Sequence, residues 1–317
     1  MKALYFDGEN MRLIHNHALS RPDEAVIRVI YAGICGTDLE ILKGYAGFRG
    51  VPGHEFVGEV EKSRDSELIG KTVVGEINVG CGRCRYCYAG LERHCPDRTV
   101  LGIKNRDGAF AEYINLPEKN LHIVPENLPT KAAVFVEPVA AAYEILEQIH
   151  VDPSMRVAVV GDGRLGNLTA QLLSKVVQDL CVYGKHKRKI DVLRSLGIKA
   201  VHVGEKHEHH SYDIVVEASG SPSGFHLAAE LVKPRGTIVL KTTVAGETSL
   251  NLSPMVVNEV SVVGSRCGPF KPAIKALATG MVQVEKLIDR VFSLDEYEEA
   301  FALAAEKETL KVLLRIM

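Results

Sequence analysis

From residue 1 to about residue 130 the apolar positions come in short runs, among them "EAVIRVIYAGI", "FVGEVEK" and "GKTVVGEI". Glycine and proline interrupt them repeatedly, as in "RGVPGHE" and "INLPEKN". Short runs closed by turn residues predict strands, and their density suits a β-rich barrel better than a helical layer. Near residue 130 the pattern lengthens. "PTKAAVFVEPVAAAYEILEQI" predicts helical segments that Pro138 should bend or divide. The chain then alternates: strand "MRVAVVG", helix "GNLTAQLLSKVV", strand "DLCVYG", helix "HKRKIDVLRSLG", strand "SYDIVVEAS", helix "GFHLAAELVK", strand "GTIVL". Such alternation predicts a parallel sheet with crossover helices, an α/β layout. The last segment adds helices at "PAIKALATG" and "DEYEEAFALAAEK" before an apolar strand, "TLKVLLRIM", whose return to the first domain would make that domain discontinuous.

At 317 residues the chain exceeds what one compact domain usually needs. A net charge of -2 gives no electrostatic reason to expect nucleic acid or a membrane surface as partner. The opening "MKALYFDGEN" lacks the apolar core of a signal peptide, and no stretch has the length of a membrane span. A cytoplasmic setting is therefore expected, and it disfavours disulfides.

That setting bears on "CGRCRYCYAGLERHC", which crowds Cys81, Cys84, Cys87 and Cys95 into fifteen residues. Four thiolates satisfy tetrahedral zinc and leave no position for substrate, so the loop reads as a structural zinc site. An iron-sulphur centre can use similar ligands. Chelation should loosen the segment around residues 80 to 96.

In "VAVVGDGRLG", Gly161, Gly163 and Gly166 follow a predicted strand and open a predicted helix, with Arg164 and Leu165 in the same turn. Glycines so placed make a tight turn, admit a pyrophosphate close to the backbone and let the helix pack on the sheet. At the end of the next strand an acid commonly binds both ribose hydroxyls of NAD. Here Gly184 stands there, followed by Lys185, His186, Lys187 and Arg188, which favours the phosphate of NADP, with NAD as the alternative.

Cys35 in "GICGTDLE", His54 and Glu55 in "PGHEF", and Glu137 in "FVEPVA" offer thiolate, imidazole and carboxylate. Together they can bind a catalytic zinc with one position open. Asp38 can orient His54, and the Thr37 hydroxyl can contact a substrate oxygen and relay its proton.

With "CGTD", "GHE", the spaced cysteine lobe, "EP" and "GDGRLG" in this order, nearly the whole chain resembles the zinc-dependent medium-chain alcohol and polyol dehydrogenases, those acting on sorbitol, threonine and glucose among them. The resemblance implies a GroES-like catalytic domain over residues 1–133 with the structural zinc lobe, a doubly wound Rossmann domain over 134–270, and a segment 271–317 returning to the catalytic domain. It implies Cys35 and His54 as catalytic zinc ligands, the carboxylate coming from Glu55 or Glu137. Thr37 then resembles the proton relay and Asp38 the support of the histidine. Glu40 occupies a position where some relatives carry a relay histidine, so that route is altered here or Glu40 serves it. Arg266, in "VVGSRCGPF", resembles an arginine near substrate and nicotinamide in polyol dehydrogenases, while Tyr45 and Phe48 either line the substrate mouth or pack their loop.

The reaction expected is reversible hydride transfer between an alcohol, polyol or sugar hydroxyl and NADP, by a homo-dimer or homo-tetramer with a small-molecule substrate. Two other classes remain: a nucleotide-responsive metal-binding protein without turnover, and a zinc-free quinone or enone reductase. The basic run "KHKRK" is assigned to the cofactor phosphate rather than to nucleic acid. "EKHEHH", with His207, His209 and His210, reads as a polar connection able to take metal adventitiously, and Cys181 and Cys267 as isolated thiols.

Overall fold

The computed structural model describes residues 1–243 and 251–317. Its contacts divide the chain into two compact units, Met1–Glu137 with Ile288–Met317, and Pro138–Leu287. The first is a β-rich GroES-like domain and the second a Rossmann-like domain on a parallel sheet.

Unit 1 begins with an antiparallel hairpin, β1 (Ala3–Phe6) and β2 (Met11–Ile14). Strands β3 (Ala25–Gly33), β4 (Glu55–Lys62) and β5 (Thr72–Gly75) form an antiparallel meander, and helix α1 (Gly36–Ile41) starts just past β3. In β3, Ala25, Ile27 and Val29 are buried while Val26, Arg28 and Ile30 are half-buried, the period-two alternation that fixes which face meets the core. A short pair, β6 (Asn78–Val79) with β7 (Thr99–Val100), brackets the cysteine loop and its one-turn helix α2 (Arg85–Tyr88). Strand β8 (Tyr113–Leu116) pairs with β3 and β9 (Leu121–Ile123) with β5.

Helix α3 (Thr130–Ala133) is followed by α4 (Val136–Gln148). The helical stretch is divided ahead of Pro138, which lies in the first turn of α4, where its missing N–H leaves no helical bond unmade.

In unit 2 the order is β10 (Arg156–Val160), α5 (Arg164–Leu173), β11 (Asp179–Gly184), α6 (Lys187–Ser195), β12 (Ala200–His202), β13 (Tyr212–Glu217), α7 (Pro222–Leu231), β14 (Val232–Leu240), α8 (Ser253–Val257), β15 (Ser261–Gly264) and α9 (Phe270–Ala278). Among the described residues the six strands are all parallel, in the spatial order β12-β11-β10-β13-β14-β15. That is the doubly wound order, with its switch point between β10 and β13. Val157 and Val159 pack into a core on one face with Leu193 and Ile190, while Ala158 and Val160 face Phe225 and Leu231 on the other. Both faces are covered, so β10 reads as an unbroken apolar run. Cys181 lies buried within the second of these cores.

The chain closes in unit 1 with β16 (Ile288–Ser293), α10 (Tyr297–Ala304) and β17 (Lys311–Arg315). β17 runs parallel to β16 and antiparallel to β3, with Leu313 opposite Gly33. No helix among the described residues is long and apolar enough to cross a membrane.

Candidate active site and metal centres

Two elements of unit 1 converge on one small cluster. Cys35 sits at the start of α1 and His54 and Glu55 at the start of β4, and their donor atoms lie within 4.8 Å of one another. Asp38 binds both sides of this junction: one carboxylate oxygen accepts from the Cys35 amide at 2.7 Å and the other from the Gly53 amide at 3.1 Å. The latter oxygen stands 3.5 Å from His54 Nδ1, which is buried with no hydrogen-bond partner among the described residues. Burial works against a charged imidazole, but the Asp38 carboxylate and the Cys35 thiol outweigh it and hold His54 well above the ordinary histidine value. The Thr37 hydroxyl lies 3.8 Å from Cys35 Sγ. Glu137, in the first turn of α4, lies outside the three-donor cluster.

Beneath the cluster is a group the sequence reading missed. Lys311, fully buried on β17, makes an ion pair with Glu55 Oε2, donates to the Ile34 carbonyl at 3.4 Å and lies over the Phe135 ring. Glu55 Oε1 is buried and unpartnered among the described residues. A buried carboxylate with one oxygen neutralised and the other open is a donor waiting for a cation or a proton. The signal was a lone lysine inside "TLKVLLRIM".

Glu40 is engaged elsewhere, with Lys43 at 2.8 Å in solvent. Phe48 is buried with Phe6 and Ile41, and Tyr45 packs against them, so both residues serve to pack their loop.

The second cluster is local. Cys81, Cys84, Cys87 and Cys95 bring four sulfurs within 4.8 Å of one another, Cys84 standing 3.6 Å from Cys87 and 3.7 Å from Cys95. Zn–S bonds of about 2.3 Å put tetrahedral sulfurs about 3.8 Å apart, so the separations fit a metal. None of the seven cysteines is in a disulfide. The Arg83 amide draws Cys81 down to about 7. For Cys95 the Cys81 amide pulls the same way, but burial and the neighbouring thiols prevail and push it up to about 11.

In unit 2, Gly163 caps α5, and Gly166 lies so near Gly161 that a β-carbon there would sit 2.1 Å from the Gly161 carbonyl oxygen. Arg164 and Leu165 form the first turn of α5. At the end of β11, a β-carbon on Gly184 would meet Asp162 Oδ2 at 2.7 Å. Asp162 fills that space, accepting from the amides of Lys185 and His186 at 2.7 Å each and from His186 Nδ1 at 3.0 Å. Lys185 Nζ reaches Ser223 at 3.1 Å, while Lys187 and Arg188 open α6 on the exposed side. Asp162, Lys185, His186 and Ser223 border a cavity of about 300 Å³, lined also by Ser219, Ser221 and His207, while Lys187 and Arg188 lie outside its lining. The serines follow the carboxyl end of β13 in "ASGSPSG", and their position beside the switch point was the available cue.

Arg266 is exposed after β15. Its backbone is fixed by Lys241, a buried ammonium that donates to the carbonyls of Ala141 at 2.6 Å and Arg266 at 3.1 Å and to Ser265 Oγ at 3.0 Å.

Two family models match the chain, and the second runs on through the C-terminal strands that return to unit 1. Residues 21–126 match the alcohol dehydrogenase GroES-like domain and residues 130–316 the glucose dehydrogenase C-terminus. D-arabinitol dehydrogenase 1 of Uromyces fabae is 26% identical over 92% of this chain and 90% of its own length. A short chain alcohol dehydrogenase of Escherichia coli CFT073, solved with NADH, superposes with a TM-score of 0.89 at 25% identity, covering 100% of this chain and 99% of the other. A protein of Sinorhizobium meliloti 1021 solved bound to NADP gives 0.89 at 27% identity over 99% of both chains.

Proposed function

The chain belongs to the glucose dehydrogenase C-terminus family, within the medium-chain dehydrogenase/reductase superfamily, and from that premise we propose that it is a zinc-dependent dehydrogenase of a polyol, sugar or secondary alcohol that uses NADP in preference to NAD. Hydride-transfer oxidoreduction is the common activity of its relatives and of this chain. The observation that carries the finer reading is the convergence of Cys35, His54 and Glu55 in unit 1.

Thiolate, imidazole and carboxylate together suit zinc, and three protein donors leave a position for a substrate oxygen. A zinc ion held there would supply Lewis acidity toward that oxygen. The open Oε1 of Glu55 supports Glu55 as the carboxylate in this conformation, with Glu137 as its exchange partner. Asp38 fixes the start of α1 against the Gly53–His54 turn, which holds the thiol and the imidazole at a constant separation. Thr37, beside the Cys35 sulfur, takes the hydroxyl proton and passes it on. Lys311, paired with Glu55 inside the sheet, holds that side chain in place without reorganisation.

Preference for NADP is supported by Asp162. Its carboxylate already accepts from two amides and an imidazole, which leaves it poorly placed to accept from both ribose hydroxyls. Lys185, Ser221, Ser223 and the start of α6 offer cationic and hydroxyl donors to a phosphate instead. The cysteine loop is assigned a structural zinc, and the protein is assigned to the cytoplasm as a homo-oligomer.

The test is initial rates on zinc-replete protein with polyols, aldoses and secondary alcohols, NADP and NAD supplied separately, followed by absorbance of the reduced nicotinamide. Turnover faster with NADP is the expected result. Silence with both cofactors from folded, zinc-loaded protein overturns the reading in favour of a nucleotide-responsive protein without turnover.

A further inference from the structure

The connection from β12 to β13 crosses the switch point without a helix, and it carries "EKHEHH". Two backbone bonds dock its turn on the end of α7: the His210 amide donates to the Glu230 carbonyl at 2.8 Å and the Ser211 amide to that of Leu231 at 2.9 Å. His210 takes a left-handed conformation, φ 50°, and its Nδ1 donates to the Val232 carbonyl at 3.0 Å. From the other side Arg156 binds Glu208 at 3.0 Å. The histidines before the turn are thereby held against the side of α7 that carries Glu230.

His207 packs edge-on to the Tyr183 ring, and its Nδ1 lies 3.3 Å from the Glu205 carbonyl. A carbonyl only accepts, so Nδ1 carries the proton and Nε2 of the neutral ring presents a lone pair. That Nε2 is buried with no hydrogen-bond partner among the described residues and faces Glu230 Oε2 at 3.5 Å. A lone pair facing a carboxylate repels it unless a cation or a proton lies between them. His209 completes the group, its ring centroid 5.0 Å from that of His207, and the three donor atoms lie within 4.8 Å of one another. Bonds of about 2.0–2.2 Å set tetrahedral zinc ligands about 3.4 Å apart, close to the His207–Glu230 separation. An Nδ1–H bonded to a carbonyl is also the support that metal-ligating histidines ordinarily have.

We propose that His207, His209 and Glu230 form a binding site for a divalent transition metal of the zinc class, with water as the fourth ligand. The site joins the β12–β13 connection to α7, and His207 and Glu230 both line the 300 Å³ cavity, so a bound cation fixes two of its walls. The site is separate from both clusters of unit 1, and its existence does not depend on whether the enzyme turns over.

The experiment is calorimetric titration of full-length protein, its unit 1 sites already zinc-filled, with Zn²⁺ alone, beside His209→Ala and Glu230→Gln. Both substituted side chains are exposed, so folding should persist, and unchanged circular dichroism verifies it. The expected result is one further zinc per chain in the unmodified protein, lost in both variants, together with a zinc-dependent rise in melting temperature that the variants lack. Equal zinc uptake by all three proteins, or no further zinc in the unmodified one, overturns the proposal. The count is read without substrate, so a protein that binds this zinc and shows no turnover refutes only the catalytic reading.

Discussion

The two donor clusters of unit 1 are built in opposite ways. Cys81, Cys84, Cys87 and Cys95 come from a single loop and offer only sulfur. Cys35, His54 and Glu55 come from the ends of two strands, mix three donor types and rest on a lysine from the far end of the chain. A local loop of thiolates closes around its ion and holds the fold, whereas a cluster assembled by a sheet can leave a donor position unfilled for chemistry. The contrast lies in what supports the ligands as much as in the ligands themselves.

The sharpest way to break that contrast is to remove one sulfur from each cluster. Cys35→Ser should lower kcat/KM by about 10³-fold or more, the scale of losing a principal charge-stabilising group, with little change in folding. Cys84→Ser should instead reduce bound metal by one equivalent per chain and lower stability. Equal losses of turnover without loss of metal in the second variant would show that the loop is not a purely structural site.

Next in size is the support. Lys311→Met removes the partner of a buried carboxylate and should cost about 3–5 kcal/mol, seen as a lower urea midpoint. Combining it with Glu55→Gln should recover most of that loss. If the single variant is as stable as the parent, Lys311 is not what holds the Glu55 charge.

Withdrawing metal from the cysteine loop with a thiol-selective chelator should raise amide hydrogen exchange across residues 80–96 and leave β10 to β14 unchanged. Loosening that spreads through unit 2 would contradict the local character of this cluster.

The smallest effect is expected at Glu40. Its pair with Lys43 is half-exposed and worth about 0–1 kcal/mol, so Glu40→Gln should change kcat/KM by less than about twofold. A large change would restore Glu40 to the proton path.

Much of this was legible in the chain, and for a specific reason. The four-cysteine spacing and the glycines of "GDGRLG" are contiguous, so the residues that make each feature are neighbours and the local backbone they need is written beside them. The α/β alternation of unit 2 was equally plain, because strands buried on both faces read as apolar runs. Pro138 was expected to bend or divide the helical stretch, and the stretch is divided, just before Val136, with Pro138 in the first turn of α4.

What remained hidden depends on pairing between distant positions. Lys311 meets Glu55 only because β17 lies beside β3, which in turn pairs with β4. Asp162 takes the space at Gly184 only because β10 and β11 are parallel neighbours. His207 faces Glu230 because the β12–β13 connection docks on the end of α7. The sequence by itself determined the fold class, the cysteine loop and the glycine turn after β10, because local spacing and periodicity are properties of neighbouring residues. The tertiary structure alone decided which buried charges meet, because strand order and register are set by burial summed over a whole sheet rather than by any one segment.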